Sequence, residues 1–149
     1  MTHRFSTRIP ILRRAIIVWL VIMLAESLHG TLRVLLLEPY IGELRARQVA
    51  FFTGMSIIFA ITLAFIGWIR ATSVLKFLVV GGLWAALTFG FELLLGRCVL
   101  DYSWERIFAD YDLSRGGLMS IGMIFLVLAP LVAAMVRKAL GRVPGHGPR

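Results

Sequence analysis

Residues 15–37 read AIIVWLVIMLAESLHGTLRVLLL, a run whose only ionisable groups are Glu26, His29 and Arg33. A helix rises about 1.5 Å per residue, so about 20 mostly apolar residues cross the hydrocarbon of a bilayer. The run is long enough to do so and does not alternate as a strand would. Three further stretches have the same character: residues 49–69, 77–96 and 117–136. The expectation is an all-α integral membrane protein, a single domain whose four transmembrane helices form a bundle.

The whole composition agrees. Of 149 residues 59% are hydrophobic and 16% charged, with a mean hydropathy of +0.86; soluble domains carry roughly 25% charged residues. Continuous runs of Leu, Ile, Val, Phe and Ala argue against a transmembrane β-barrel, whose strands alternate. The formal charge of +8 would suggest nucleic acid in a soluble chain. Here the basic residues flank the apolar runs, which reads as topology signal and attraction to anionic headgroups, with the bilayer as partner and no nucleic acid. The lone Cys98 excludes an internal disulfide and a multi-cysteine metal motif.

Arg4, Arg8, Arg13, Arg14, Arg70, Lys76, Arg137, Lys138, Arg142 and Arg149 give one side ten basic residues. The other side has five, Arg45, Arg47, Arg97, Arg106 and Arg115, together with Glu38, Glu43, Asp101, Glu105, Asp110 and Asp112. The positive-inside rule then places both termini in the cytoplasm and the protein in the inner (plasma) membrane. A competing reading takes Arg13-Arg14 and residues 15–25 as a signal peptide cleaved after Ser27; the apolar character continuing through residues 34–37 argues for a retained helix. The links at residues 38–42 and 70–73 read as tight turns. The tail, residues 141–149, reads as disordered.

Leu28-His29-Gly30-Thr31-Leu32-Arg33, Arg45-Ala46-Arg47-Gln48 and residues 91–97 (FELLLGR) together resemble a pattern of small uncharacterised bacterial four-span inner-membrane proteins. The resemblance implies location and fold, and no activity.

Charged groups in hydrocarbon are costly and face the bundle interior. Glu26, His29 and Arg33 fall within an arc of about 60° on one helix face, opposite Leu24, Leu28 and Leu35. Along the helix axes Glu26 lies about 17 Å, His29 about 21 Å, Arg33 about 27 Å and Glu92 about 23 Å from the cytoplasmic ends. The expectation is one polar cluster of Glu26, His29, Arg33 and Glu92 between the first and third spans, with Arg47 and Arg97 supporting it at the outer interface. A purely structural reading, in which these groups hold helices together, stands beside it. Stripes of small residues accompany the cluster: Gly81, Ala85, Thr88 and Gly96 in the third span, Thr53, Ser56, Ala60, Ala64 and Gly67 in the second, and Gly122, Ala129 and Ala133 in the fourth. Such faces permit close helix approach and homo-oligomers.

Between the third and fourth spans Trp104, Ile107, Phe108 and Tyr111 recur at helical spacing, which predicts an amphipathic helix over residues 103–112 capped by Asp101 or Ser103 and lying at the outer interface. Three functions fit. A midplane carboxylate with a titratable histidine suits a small proton-coupled transporter. A chain with little soluble mass also suits a non-catalytic accessory or assembly subunit. Glu26-x-x-His29 has the spacing of carboxylate-bridged metal sites, which Glu26, His29 and Glu92 would complete only in a symmetric dimer. No catalytic residue is identified and no cofactor is expected, because phosphate-loop, H-E-x-x-H, C-x-x-C and serine-nucleophile motifs are missing.

Overall fold

Four helices long and apolar enough to span a membrane dominate the computed structural model, which describes residues 8–115 and 117–141. In chain order the α-helices are α1 (Arg8–Leu32), α2 (Glu38–Ile41), α3 (Glu43–Ile69), α4 (Val74–Leu94), α5 (Trp104–Ala109) and α6 (Met119–Leu140), of which α1, α3, α4 and α6 are the long ones, and no strand occurs among the described residues. Two wide π turns, Arg33–Leu37 and Leu95–Val99, extend α1 and α4, so the first span runs Pro10–Ile41 and the third Val74–Val99.

The first link differs from the expected turn. Residues 38–41 are helical, and the reversal is confined to Gly42, at φ 79°. Pro39 lies in the first turn of α2, where a missing N–H costs nothing. The preceding π turn, closed by Glu38 N–H donating to the Arg33 carbonyl, lets the helix continue up to it. The second link reverses through Arg70 in the left-handed region (φ 59°), and the Ser73 side chain caps α4 by accepting from Lys76 N–H.

The helices close a ring in which α1 packs on α3, α3 on α6 and α6 on α4, with a narrower seam between α4 and α1. Two indoles hold that seam. Trp84 Nε1 donates to the Ala15 carbonyl at 2.8 Å and Trp19 Nε1 donates to Thr88 Oγ1 at 3.0 Å. Each pair is 69 residues apart, which fixes the parallel register of α1 and α4. Gly81 supplies the closest approach: a Cβ there would lie 2.0 Å from the Val127 carbonyl oxygen of α6.

The core of Ala15, Val18, Ile22, Ile66, Ile69, Val80, Trp84, Leu126 and Ala133 sits toward the end that carries the termini. Large apolar side chains otherwise cover the outside. Leu24, Leu28 and Leu35 are 74%, 61% and 63% exposed, as the face opposite the charged groups of the first span requires. Such a surface suits hydrocarbon as the surrounding solvent.

The expected small-residue stripes divide. Gly81, Thr88, Gly96, Ala129 and Ala133 are buried at helix contacts, whereas Ser56, Ala60 and Ala64 of α3 lie on the outside. It is Gly54 that turns inward, with room only for the Glu26 carboxylate, whose Oε2 would lie 2.9 Å from an added Cβ.

Candidate functional site

At the end of the bundle away from the termini, the four long helices part around a cavity of about 440 Å³. It reaches from Arg33, Arg47 and Asp110 at the loop end down to Ile22, Ile58 and Leu126 at the edge of the core, and Glu26 and Glu92 both line it. The volume falls within the ~300–1,000 Å³ of small-molecule sites.

Glu26 and His29 come together as their spacing implies, with His29 Nδ1 3.6 Å from Glu26 Oε2. Their neighbour is α3. The Thr53 hydroxyl lies 2.8 Å from His29 Nε2 and donates to the Val49 carbonyl at 3.1 Å. With its proton on the backbone the hydroxyl accepts from His29 Nε2–H; with its proton on Nε2 it leaves Nδ1–H to face Glu26. Glu26 Oε1 is buried without a hydrogen-bond partner among the described residues.

Arg33 does not join this pair. Its guanidinium meets Glu38 at 3.3 Å, because both sit where the π turn brings residues five apart over one another. Glu92 is also separate. The register of 69 residues sets it level with Met23, so it lies about 4.5 Å nearer the core than Glu26 along the axis. Among the described residues its carboxylate makes no hydrogen bond or ion pair; its acidic neighbour is Asp110. The four residues therefore line or border one cavity without forming one contact cluster.

Arg47 bonds Asp110 and also lies 4.0 Å from Glu43, tying the start of α3 to the segment after α5. Arg97 donates to the Tyr102 carbonyl at 2.8 Å and covers the Trp104 ring, so it braces the loop and not the cavity. The loop helix is shorter than expected: α5 has six residues and Ser103 as its cap. Its four apolar residues split. Ile107 is buried against Gly96, and Tyr111 packs on Phe89, while Trp104 and Phe108 stack on each other at 52% exposure each. Burial, followed by the nearby carboxylates of Glu92 and Asp110, pushes the Tyr111 hydroxyl up to about 12, and that hydroxyl has no partner among the described residues.

No group of three or more His, Cys, Asp or Glu side chains among the described residues could hold a metal ion. Glu26 and His29 alone would have to serve the E-x-x-H reading within one chain. Sequence reasoning found the ionisable residues by their cost in hydrocarbon. It missed the methionines of the cavity wall, Met23, Met55, Met119 and Met123, whose only signal was spacing shared with core residues. Searches against protein-family models, curated proteins and solved structures found no match to this chain.

Proposed function

We propose that the chain is a plasma-membrane carrier for a small amphiphilic solute, coupled to protons through Glu26, His29 and Glu92. One observation carries this reading: two carboxylates from different helices, neither held by an arginine, line a cavity that ends on a packed core. In a low-dielectric setting such carboxylates bind either a proton or a cationic group, and that exclusivity is the basis of coupled exchange. His29, bonded to Thr53 and facing Glu26 with Nδ1, can relay a proton to it.

In this reading the termini are cytoplasmic by the excess of basic residues at their end, and the cavity faces the opposite compartment. The first span is retained, since Ala15, Val18 and Ile22 belong to the core. Trp104 and Phe108 lie in the outer headgroup layer, where aromatic rings are favoured. The outward small residues of α3, Ser56, Ala60 and Ala64, offer a face to a second copy.

Proteoliposomes loaded with a pH-sensitive dye and given cationic, zwitterionic and anionic solutes in turn test the carrier. Solute-dependent proton movement is expected in wild type, and its loss in Glu92→Gln together with an undiminished folded yield of that variant is the expected result. Absence of any solute-dependent proton movement refutes it. The accessory-subunit reading draws on the exposed Trp104–Phe108 pair, a surface equally suited to a partner. Copurification of a stoichiometric second polypeptide, lost in Trp104→Ala, would favour it.

A further inference from the structure

Resting on the cavity reading above, we infer that the ligand is a lipophilic organic cation, an ammonium or phosphonium centre carrying apolar or aromatic substituents. Five residues that bear charge line the cavity: Glu26, Glu92, Asp110, Arg33 and Arg47. Both arginines are already engaged, Arg33 by Glu38 and Arg47 by Asp110. What remains unneutralised is Glu92 and, when His29 is neutral, Glu26.

An anion entering this space would meet two carboxylates and no free cation. A neutral sugar-like solute would find only two uncharged polar side chains in the walls, Gln48 and Thr88, and Thr88 already accepts the Trp19 N–H. A cation gains from both carboxylates, and these attractions are large where water is scarce.

The walls select the rest of the molecule. Met23, Met55, Met119 and Met123, four of the chain's six methionines, share the lining with Phe51 and Phe125. Thioethers on unbranched stems adapt to bulky apolar shapes, and aromatic faces attract cations. The four methionines come from three helices, so they surround a ligand instead of forming one stripe. Protons on Glu26, His29 and Glu92 compete with the cation. The other titratable or charged groups near these are Asp110, Tyr111, Arg33 and Arg47, and the two arginines stay paired.

The experiment is equilibrium dialysis of the purified full-length protein in detergent against tetraphenylphosphonium, with tetraphenylborate as its counterpart of equal shape and opposite charge. Empty micelles correct for partitioning. Saturable binding of the phosphonium is expected, tightening from pH 6 to pH 8, with no saturable borate component. Affinity should fall at least tenfold in Glu92→Gln and in Glu26→Gln. Gly122→Leu provides a second variant that leaves both carboxylates in place. Gly122 lines the cavity and its nearest neighbour, Phe51, is 3.7 Å from an added Cβ, so leucine fills ligand space from the opposite wall and should abolish binding.

Equal binding of the two ions, or phosphonium binding unchanged in all three variants, overturns the inference. Wild-type discrimination between the two ions decides the matter even if a variant fails to fold. Cation binding without proton counterflow upholds the ligand class and refutes the carrier. Proton counterflow driven only by anionic or zwitterionic solutes upholds the carrier and refutes the ligand class.

Discussion

Replacing Gly81 by alanine should be among the most damaging single changes to this bundle, and Gly82→Ala, one residue away, should be nearly harmless. A Cβ on Gly81 would stand 2.0 Å from Val127 O, 2.6 Å from its carbonyl carbon and 2.8 Å from its Cα, whereas one on Gly82 would meet nothing within 4 Å. The obstacle is backbone, so no side chain can swing aside. An unstrained contact of ~3.5 Å requires α4 and α6 to separate by about 1.5 Å. A gap of even half that size already forfeits a quarter or more of the dispersion attraction along the interface, where Val80, Leu126, Ala129 and Ala133 are buried. Overpacking typically costs about 1–3 kcal/mol, and a rigid clash belongs at the upper end, about 3 kcal/mol. Both substitutions share the same helix-propensity gain of up to about 1 kcal/mol, so their difference isolates the contact. Unfolding in mixed dodecylmaltoside and SDS micelles, followed by tryptophan fluorescence, measures it. Equal stabilities for the two variants would refute the packing argument.

Thr53→Val strips His29 Nε2 of its hydrogen-bond partner and should cost about 0.6 kcal/mol, with ~1.7 kcal/mol as the upper bound for such bonds in membranes; the same unfolding assay, run as a double-mutant cycle with His29→Ala, checks it. Tyr111 should ionise near 12, and a spectrophotometric titration of wild type against Tyr111→Phe should show that phenol as the missing late component. Because its folded value is raised above the ordinary value near 10, its contribution to stability is complete below pH 10 and disappears as pH climbs toward 12; Glu92→Gln should bring the phenol's titration down. Arg47→Ala removes the exposed pair with Asp110, worth at most about 1 kcal/mol. Amide exchange at Tyr111 and Asp112 should therefore quicken by no more than about fivefold, and a larger change would show that the pair holds the whole loop.

The four spans were legible because hydrocarbon imposes a length and a composition that few soluble segments meet. The outward side of the first long helix was legible too, since Glu26, His29 and Arg33 share an arc that leaves Leu24, Leu28 and Leu35 outside. Partners across helices were not. Helical periodicity gives a face but not the neighbour it meets, and the ring order places the Glu26 and His29 face against Gly54 and Thr53 of α3. The π turns were equally hidden. One extra residue in a turn leaves composition unchanged, yet it brings Arg33 to Glu38 instead of to the carboxylates. The loop helix was recognised by the spacing of Trp104, Ile107, Phe108 and Tyr111, but not its brevity or the divided orientation of those residues, which depend on Gly96 leaving space for Ile107.

The crossed indole bonds of Trp19 and Trp84 have a mechanical corollary. They act as a fulcrum: with α1 and α4 pinned at two adjacent turns, only the arms beyond Thr88 are left to swing, and leverage accumulates at the far ends. In the proposed carrier, passage of cargo to the opposite compartment would demand that the fulcrum itself yield. Under that proposal, removing the Trp19 tether by Thr88→Ala should consequently speed exchange across the membrane.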